Sequence, residues 1–241
     1  MIKRIRNLIL VLTVLLAVLI AGILTAGWNC YREVTAEKPL KAAVEEAKSS
    51  SVYVPYTEID RDFVNAVVAV EDKRFFTRSG FDYVALVRAM LNNFKYGKAV
   101  EGGSTIPQQT AKNLYFVGTG RSRGVPEKVA EVYLMYDMEE HYTKQDILAV
   151  YASLNYYGDG FWGLENASRG YYGKDCDDLS VAQAATLAGI VNAPSAYQLS
   201  TGFDLALSRE RHVLNNMLRE GYLTADEYEA AMAEDIHPTA E

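Results

Sequence analysis

From Leu8 to Ala26 the chain runs for 19 residues without a charged side chain. As a helix that run is roughly 28 Å long at about 1.5 Å per residue, close to the thickness of a bilayer's hydrocarbon core. Lys3, Arg4 and Arg6 stand before it, and basic residues flanking a span stay on the cytoplasmic side. The competing reading is a cleaved signal peptide, whose apolar region is usually about 7–15 residues and ends in an A-x-A-like site. Here the run is longer, and Thr25-Ala26-Gly27 is a poor cleavage match. The expectation is a basic cytoplasmic flank at 1–7, a single-pass anchor at 8–27, and everything after Trp28 on the outer face of the cell membrane.

Beyond the anchor the chain is acidic. Setting aside the three basic residues before the anchor leaves 21 of the 24 Lys+Arg against 31 Asp+Glu, a formal charge of −10. Such a balance excludes general affinity for nucleic acid or anionic lipid, so any anion site must be a local cluster. With 241 residues and 49% hydrophobic content, the chain has room for one domain with a sizeable core. That domain is placed at 52–241, after a polar connector at 28–51 read as a helical stalk or a linker. Cys30 and Cys176 imply no disulfide framework and are expected to be free.

Helical signals dominate the domain. Thr105-x-x-Gln108, Ser180-x-x-Gln183 and Thr224-x-x-Glu227 are capping boxes. Pro107 sits in a first helical turn, and Pro126 opens a helix running toward Glu140. Val84, Leu86, Val87, Met90, Leu91 and Phe94 fall close to helical spacing. Val52-Tyr53-Val54 is at best a short strand. Gly158, Gly160 and Gly163 read as a loop between helices. The fold class is mostly α.

Three segments carry candidate chemistry. Val67-Val68-Ala69-Val70-Glu71-Asp72 puts two acids at the C-terminal end of an apolar helical stretch, where the partly negative helix end disfavours them. Glu101 to Asn113 joins two glycines to a helix start rich in hydroxyls and amides, a surface that attracts anions, with Lys112 about one turn on. Lys128 and Glu131, three apart, share a helix face. Between Lys112 and Lys128 the basic residues Lys112, Arg121, Arg123 and Lys128 stand against Glu127 alone, a local charge of +3. A diphosphate needs such a cluster.

Taken in order, these segments resemble a known family. The runs are Glu71-Asp72-x-x-Phe75-x-x-x-x-Gly80, Gly102-Gly103-Ser104-Thr105-Ile106-x-Gln108-Gln109-x-Ala111-Lys112-Asn113 and Lys128-x-x-Glu131. They continue with Lys144-x-x-Ile147-Leu148-x-x-Tyr151, Tyr156-x-Gly158-x-Gly160-x-x-Gly163, Tyr172-Gly173-Lys174, Ala193-Pro194-Ser195-Ala196-Tyr197 and Arg209-x-x-x-Val213-Leu214. Over roughly residues 52 to 225 the pattern resembles the peptidoglycan glycosyltransferase domain of class A penicillin-binding proteins, glycosyltransferase family 51. No transpeptidase domain comes after it, so the monofunctional form is expected.

The resemblance implies a lysozyme-like head lobe with a smaller membrane-associated lobe. It implies lipid II and the growing glycan chain as substrates, with a transpeptidase as a candidate partner. Glu71 takes the general-base role and Glu131 the donor side. Lys112, Lys128 and Arg123 match the diphosphate-binding region, while Ser104, Gln109, Asn113, Asp72 and Arg209 match other residues of the cleft. The resemblance fixes no cofactor and leaves the metal requirement open; a divalent cation, Mg2+ or Mn2+, at the diphosphate is compatible with the family, and no dedicated protein metal site is expected. Val84, Leu86, Met90, Leu91, Phe94 and Tyr96 read equally as a membrane-dipping lobe or as plain core.

Three positions depart from the family pattern: Arg78 replaces a usual His, Glu127 a usual Arg, and Ser153 a usual Asn. Glu127 reverses charge beside the expected diphosphate site, with Arg121 or Arg123 as candidate compensation. Two other functions fit part of the pattern. One is a membrane-bound lytic transglycosylase or muramidase, which also places a glutamate in a sugar cleft but has no diphosphate to hold. The other is a non-catalytic glycan-binding scaffold.

Overall fold

Local signals written in the sequence set most of the helix boundaries. The computed structural model of the chain describes residues 2–78, 80, 103–121 and 124–239. The helical spacing at 82–94, the apolar residues up to Tyr96, Glu101, Gly102 and Arg123 lie outside the described residues. The first helix, α1, is Ile2–Glu37, and α2 is Leu40–Lys48. After a single turn at Tyr56–Glu58 comes α3, Arg61–Glu71, whose N-cap Asp60 accepts from the backbone N–H of Asp62 and Phe63 at 2.7 and 3.2 Å. Such a cap satisfies donors that the first turn leaves open. Next in order are α4 (Ile106–Tyr115), α5 (Val125–His141), α6 (Lys144–Leu154), α7 (Leu164–Tyr172) and α8 (Val181–Ile190). The short α9 (Pro194–Tyr197), α10 (Phe203–Arg219) and α11 (Ala225–Ala233) complete the described helices.

All three expected capping boxes open helices, and Pro126 lies in the first turn of α5. A fourth box, Thr143 with Asp146, opens α6. The mostly α expectation holds. Among the described residues there is no strand: Val52–Val54 is irregular, and the Val54 N–H donates to Ser153 Oγ at 3.0 Å. That bond gives Ser153 a structural use.

The core is built around α8. From Ala184 to Ile190 every residue is buried, and Ala182, Ala184, Ala185, Leu187 and Ala188 are all at 0% exposure, as befits a helix buried on most of its sides. Small side chains there let α3 and α10 pack close. From α3 come Phe63, Ala66, Val67 and Ala69, and from α10 come Val213, Leu214 and Met217. Each large side chain so buried contributes about 1.5–3 kcal/mol. Cys30 and Cys176 are both buried and free, as expected.

The segment read as a stalk or linker is helical and packed. α1 continues past the apolar run to Glu37, and Leu40, Ala43, Val44 and Ala47 of α2 form one buried stripe. In contrast, no residue of the most apolar 18-residue window of α1 is buried in protein, as expected of a bilayer-facing helix.

Candidate functional site

Glu71 is the last residue of α3. Its carboxylate is held at both oxygens. Gln109, one turn into α4, donates from Nε2 to Oε2 at 2.7 Å. Arg209 of α10 reaches Oε1 at 3.4 Å, with only 16% and 10% of the two side chains exposed. Tyr151 of α6 lies wholly buried behind them, and burial, reinforced by the charge of Glu71, holds its phenol protonated.

The next residue, Asp72, faces elsewhere. Arg78 pairs with it at 2.5 Å and with Glu139 at 3.1 Å. The Ile106 N–H donates to Asp72 at 3.3 Å. Glu139 in turn pairs with Lys144 at 2.6 Å and accepts from the Gly80 N–H at 2.6 Å. Asp72, expected as a substrate contact, ties the end of α3 to the start of α4 through these partners. Arg78, the departure from His, reaches two carboxylates at once because a guanidinium presents several donors in a fork.

A second cluster lies at the other side of the α4 start. Lys128 of α5 donates to Ser104 Oγ at 2.8 Å and pairs with Glu131 at 2.5 Å. Glu131 is 2% exposed while half of the Lys128 side chain faces solvent. The buried acid therefore anchors a lysine whose remaining face is open to a ligand.

One stretch of chain joins the two clusters. Ser104 to Asn113 carries Ser104 toward Lys128 and Gln109 toward Glu71. Lys112 and Asn113 lie at i+3 and i+4 from Gln109, on the same helix face. Asn113 donates to Asn155 at 2.8 Å, and Asn155 donates to the Tyr151 carbonyl at 2.9 Å. Of the expected site residues, Glu71, Gln109 and Arg209 meet at one end, and Ser104, Lys128 and Glu131 at the other.

Two charges fall elsewhere. Arg121 pairs with Glu33 and Glu37 of α1 at 3.0 and 2.6 Å, so it does not compensate Glu127. Glu127 accepts from the Gly124 N–H at 2.8 Å and caps its own helix. Sequence reasoning missed Glu139 and Asn155, since neither carries a local pattern. No group of three metal-ligating side chains converges among the described residues, and Glu71, Asp72 and Glu131 already face basic or amide partners. These residues do not fit a protein-held divalent cation.

Known proteins resemble this chain in sequence. The family described as Transglycosylase matches residues 37–218. A Cupriavidus necator protein named for a transglycosylase is 35% identical over 228 residues, covering 95% of this chain and 94% of that one. Penicillin-binding protein 1A of Streptococcus oralis is 39% identical over 175 residues, covering 73% of this chain and 28% of its own length. The counterpart from Aquifex aeolicus is 40% identical over 180 residues, with 75% and 24% covered. The chain thus spans about a quarter of the two penicillin-binding proteins.

Proposed function

The chain belongs to the transglycosylase family, and from that premise we propose that it polymerises lipid II into peptidoglycan glycan strands, by inverting glycosyl transfer with release of the polyprenyl diphosphate. The domain works on the outer face of the cell membrane, with the N-terminus in the cytoplasm. The observation that carries this reading is the pair of clusters on one stretch of α4: a glutamate gripped by Gln109 and Arg209, and a lysine presented by a buried glutamate next to Ser104.

Each end has its task. Glu71 takes the proton from the 4-hydroxyl of the acceptor sugar. Its two donors hold it oriented, which a base in a fixed geometry needs. The acceptor oxygen forms its bond to C1 of the donor as the bond from C1 to the diphosphate oxygen breaks. The diphosphate leaves with the electron pair, and Lys128, with Lys112 on the α4 face, meets its growing charge. Fixed positive groups aimed at developing charge are the largest single contribution in many active sites. Glu131 keeps Lys128 in place.

The test is polymerisation of lipid II by the full chain and by Glu71→Gln. Removing a general base is expected to slow the reaction by about 10²–10⁴-fold, with the unfolding midpoint little changed. Polymer made by Glu71→Gln at the parent rate would overturn the assignment of Glu71. A parent that degrades purified peptidoglycan and leaves lipid II unpolymerised would overturn the reaction class.

A further inference from the structure

α1 does not stop where its apolar run stops. It continues as one helix to Glu37, and Gly27, Cys30 and Val34 form a buried face that begins as the run ends. The partner of that face is α5. At Gly27 the two helices nearly touch: a Cβ there would lie 2.3 Å from Val129 Cγ1 and 3.3 Å from the Val129 carbonyl carbon. Trp28, Tyr31 and Tyr133 then cluster, with ring centroids 5.1, 5.2 and 6.0 Å apart. Tyr31 donates to Asp137 at 2.9 Å, and the Tyr133 hydroxyl reaches the Leu24 carbonyl at 3.5 Å. Tyr and Trp favour the boundary between bilayer and water, and this seam gathers three of them at the end of the span.

The register sets a height. Gly27 is the first residue past the apolar run, so it marks the outer edge of the hydrocarbon. Val129, which faces it, is the neighbour of Lys128, and Glu131 is two residues on. The headgroup layer is about 5–7 Å thick on each side, close to one helical turn of about 5.4 Å. Farther along the seam Asp137 meets Tyr31, so α5 leads outward from the membrane and its N-terminal end stays at the headgroup level.

We propose that the α1–α5 seam fixes the depth of the Lys128–Glu131 pair at the phosphate layer of the outer leaflet, where a lipid-linked diphosphate meets Lys128 without leaving the bilayer. The proposal rests on the function argued above and goes beyond it: the anchor is a rigid depth gauge rather than a tether. Gly27, Trp28, Tyr31 and Tyr133 are positioning residues, since none touches the reacting atoms. Rigidity matters because a misplacement of about 1 Å can cost about 10²-fold in rate.

The experiment uses the full chain carrying a nitroxide on Val125→Cys, a position 58% exposed at the start of α5. Both native cysteines are buried, which directs the label to that site. Nitroxide depth in phospholipid vesicles is read by collision with oxygen and with a nickel chelate. In the parent the label is expected at the headgroup level. Gly27→Leu forces α1 off Val129 and is expected to move the label by several Å toward water.

The same variant should lower lipid II polymerisation in vesicles about tenfold and in detergent micelles, which fix no phosphate plane, less than about twofold. Moving the missing Cβ across the seam, Gly27→Ala with Val129→Gly, should restore both readings. A label that does not move in Gly27→Leu, or an equal loss in vesicles and micelles, would overturn the proposal. A parent that makes no polymer in either medium would defeat the proposed function alone, and the depth measurement would still decide the seam.

Discussion

The two ends of the candidate site are held by different physics. The Glu71 end is built into the core. α3 is clamped between α8 and α10, and the charges around it are buried and paired, Asp72 and Arg78 with 2% and 8% of their side chains exposed. The Glu131 end stands on α5, which leans on the membrane anchor through an aromatic seam, and its lysine is half exposed. A group that takes a proton needs fixed partners on every side. A group that meets a lipid headgroup needs an open face and a fixed height. On the proposed function, the site places each demand where the fold can meet it.

The comparison breaks most visibly at Arg78. Its guanidinium lies between Asp72 and Glu139, both nearly buried. Arg78→Ala leaves two carboxylates out of water, with Lys144 the remaining cation paired with Glu139 among the described residues. Breaking a buried ion pair from one side costs about 3–5 kcal/mol. Denaturant unfolding of the detergent-solubilised chain should read a loss of that size, with polymerisation falling alongside because Asp72 no longer holds the Ile106 N–H. A loss below about 1 kcal/mol, the ordinary worth of an exposed pair, would mean that this lock does not hold the Glu71 end.

Charge on the core side is not always neutralised by a partner. Glu210 of α10 is as buried as Asp72, 2% against 5% exposed, yet among the described residues no such ion pair serves it. Burial pushes its carboxyl up, Arg211 pulls it down and Glu234 adds a further upward push, leaving it at about 7. In the unfolded chain a glutamate titrates near 4.3. The fold therefore favours the protonated form. Its contribution to stability is complete below about pH 4 and is lost as pH rises through about 7. Relative to the parent, Glu210→Gln should gain about 2–3 kcal/mol between pH 5 and pH 8. Parallel stability curves for the two proteins would show that Glu210 is ionised in the fold and neutralised some other way.

Legibility in the sequence followed distance along the chain. The capping boxes, the apolar run and the Lys128–Glu131 pair at i,i+3 are local, and each was readable. Gln109 and Arg209 reach Glu71 across 38 and 138 residues, and Arg78 reaches Glu139 across 61. No periodicity encodes those contacts; the motif resemblance supplied the residues but not their pairing. The stripe Leu40, Ala43, Val44 and Ala47 has helical spacing, yet two of its four members are alanine, so the signal was too weak to separate a packed helix from a stalk. The local +3 was counted along the chain. In space Arg121 belongs to Glu33 and Glu37, which a linear charge count does not register.

Glu127 gives the finest test of the two-ended view, because sequence and structure assign it opposite meanings. By position it reverses the family's charge next to Lys128 and should repel a diphosphate. By geometry its carboxylate turns back to the Gly124 N–H at 2.8 Å, at a helix N-terminus where negative charge is favoured. Glu127→Ala should then cost about 0.5–1 kcal/mol of stability through the lost cap and leave lipid II polymerisation within about twofold, since its carboxylate is engaged by the Gly124 N–H. Glu127→Arg, the residue the family usually carries, should lose the same stability. If Glu127→Ala instead raises the polymerisation rate tenfold, about 1.4 kcal/mol in the transition state, the carboxylate reaches the diphosphate, and the Glu131 end is tuned by charge as well as by height.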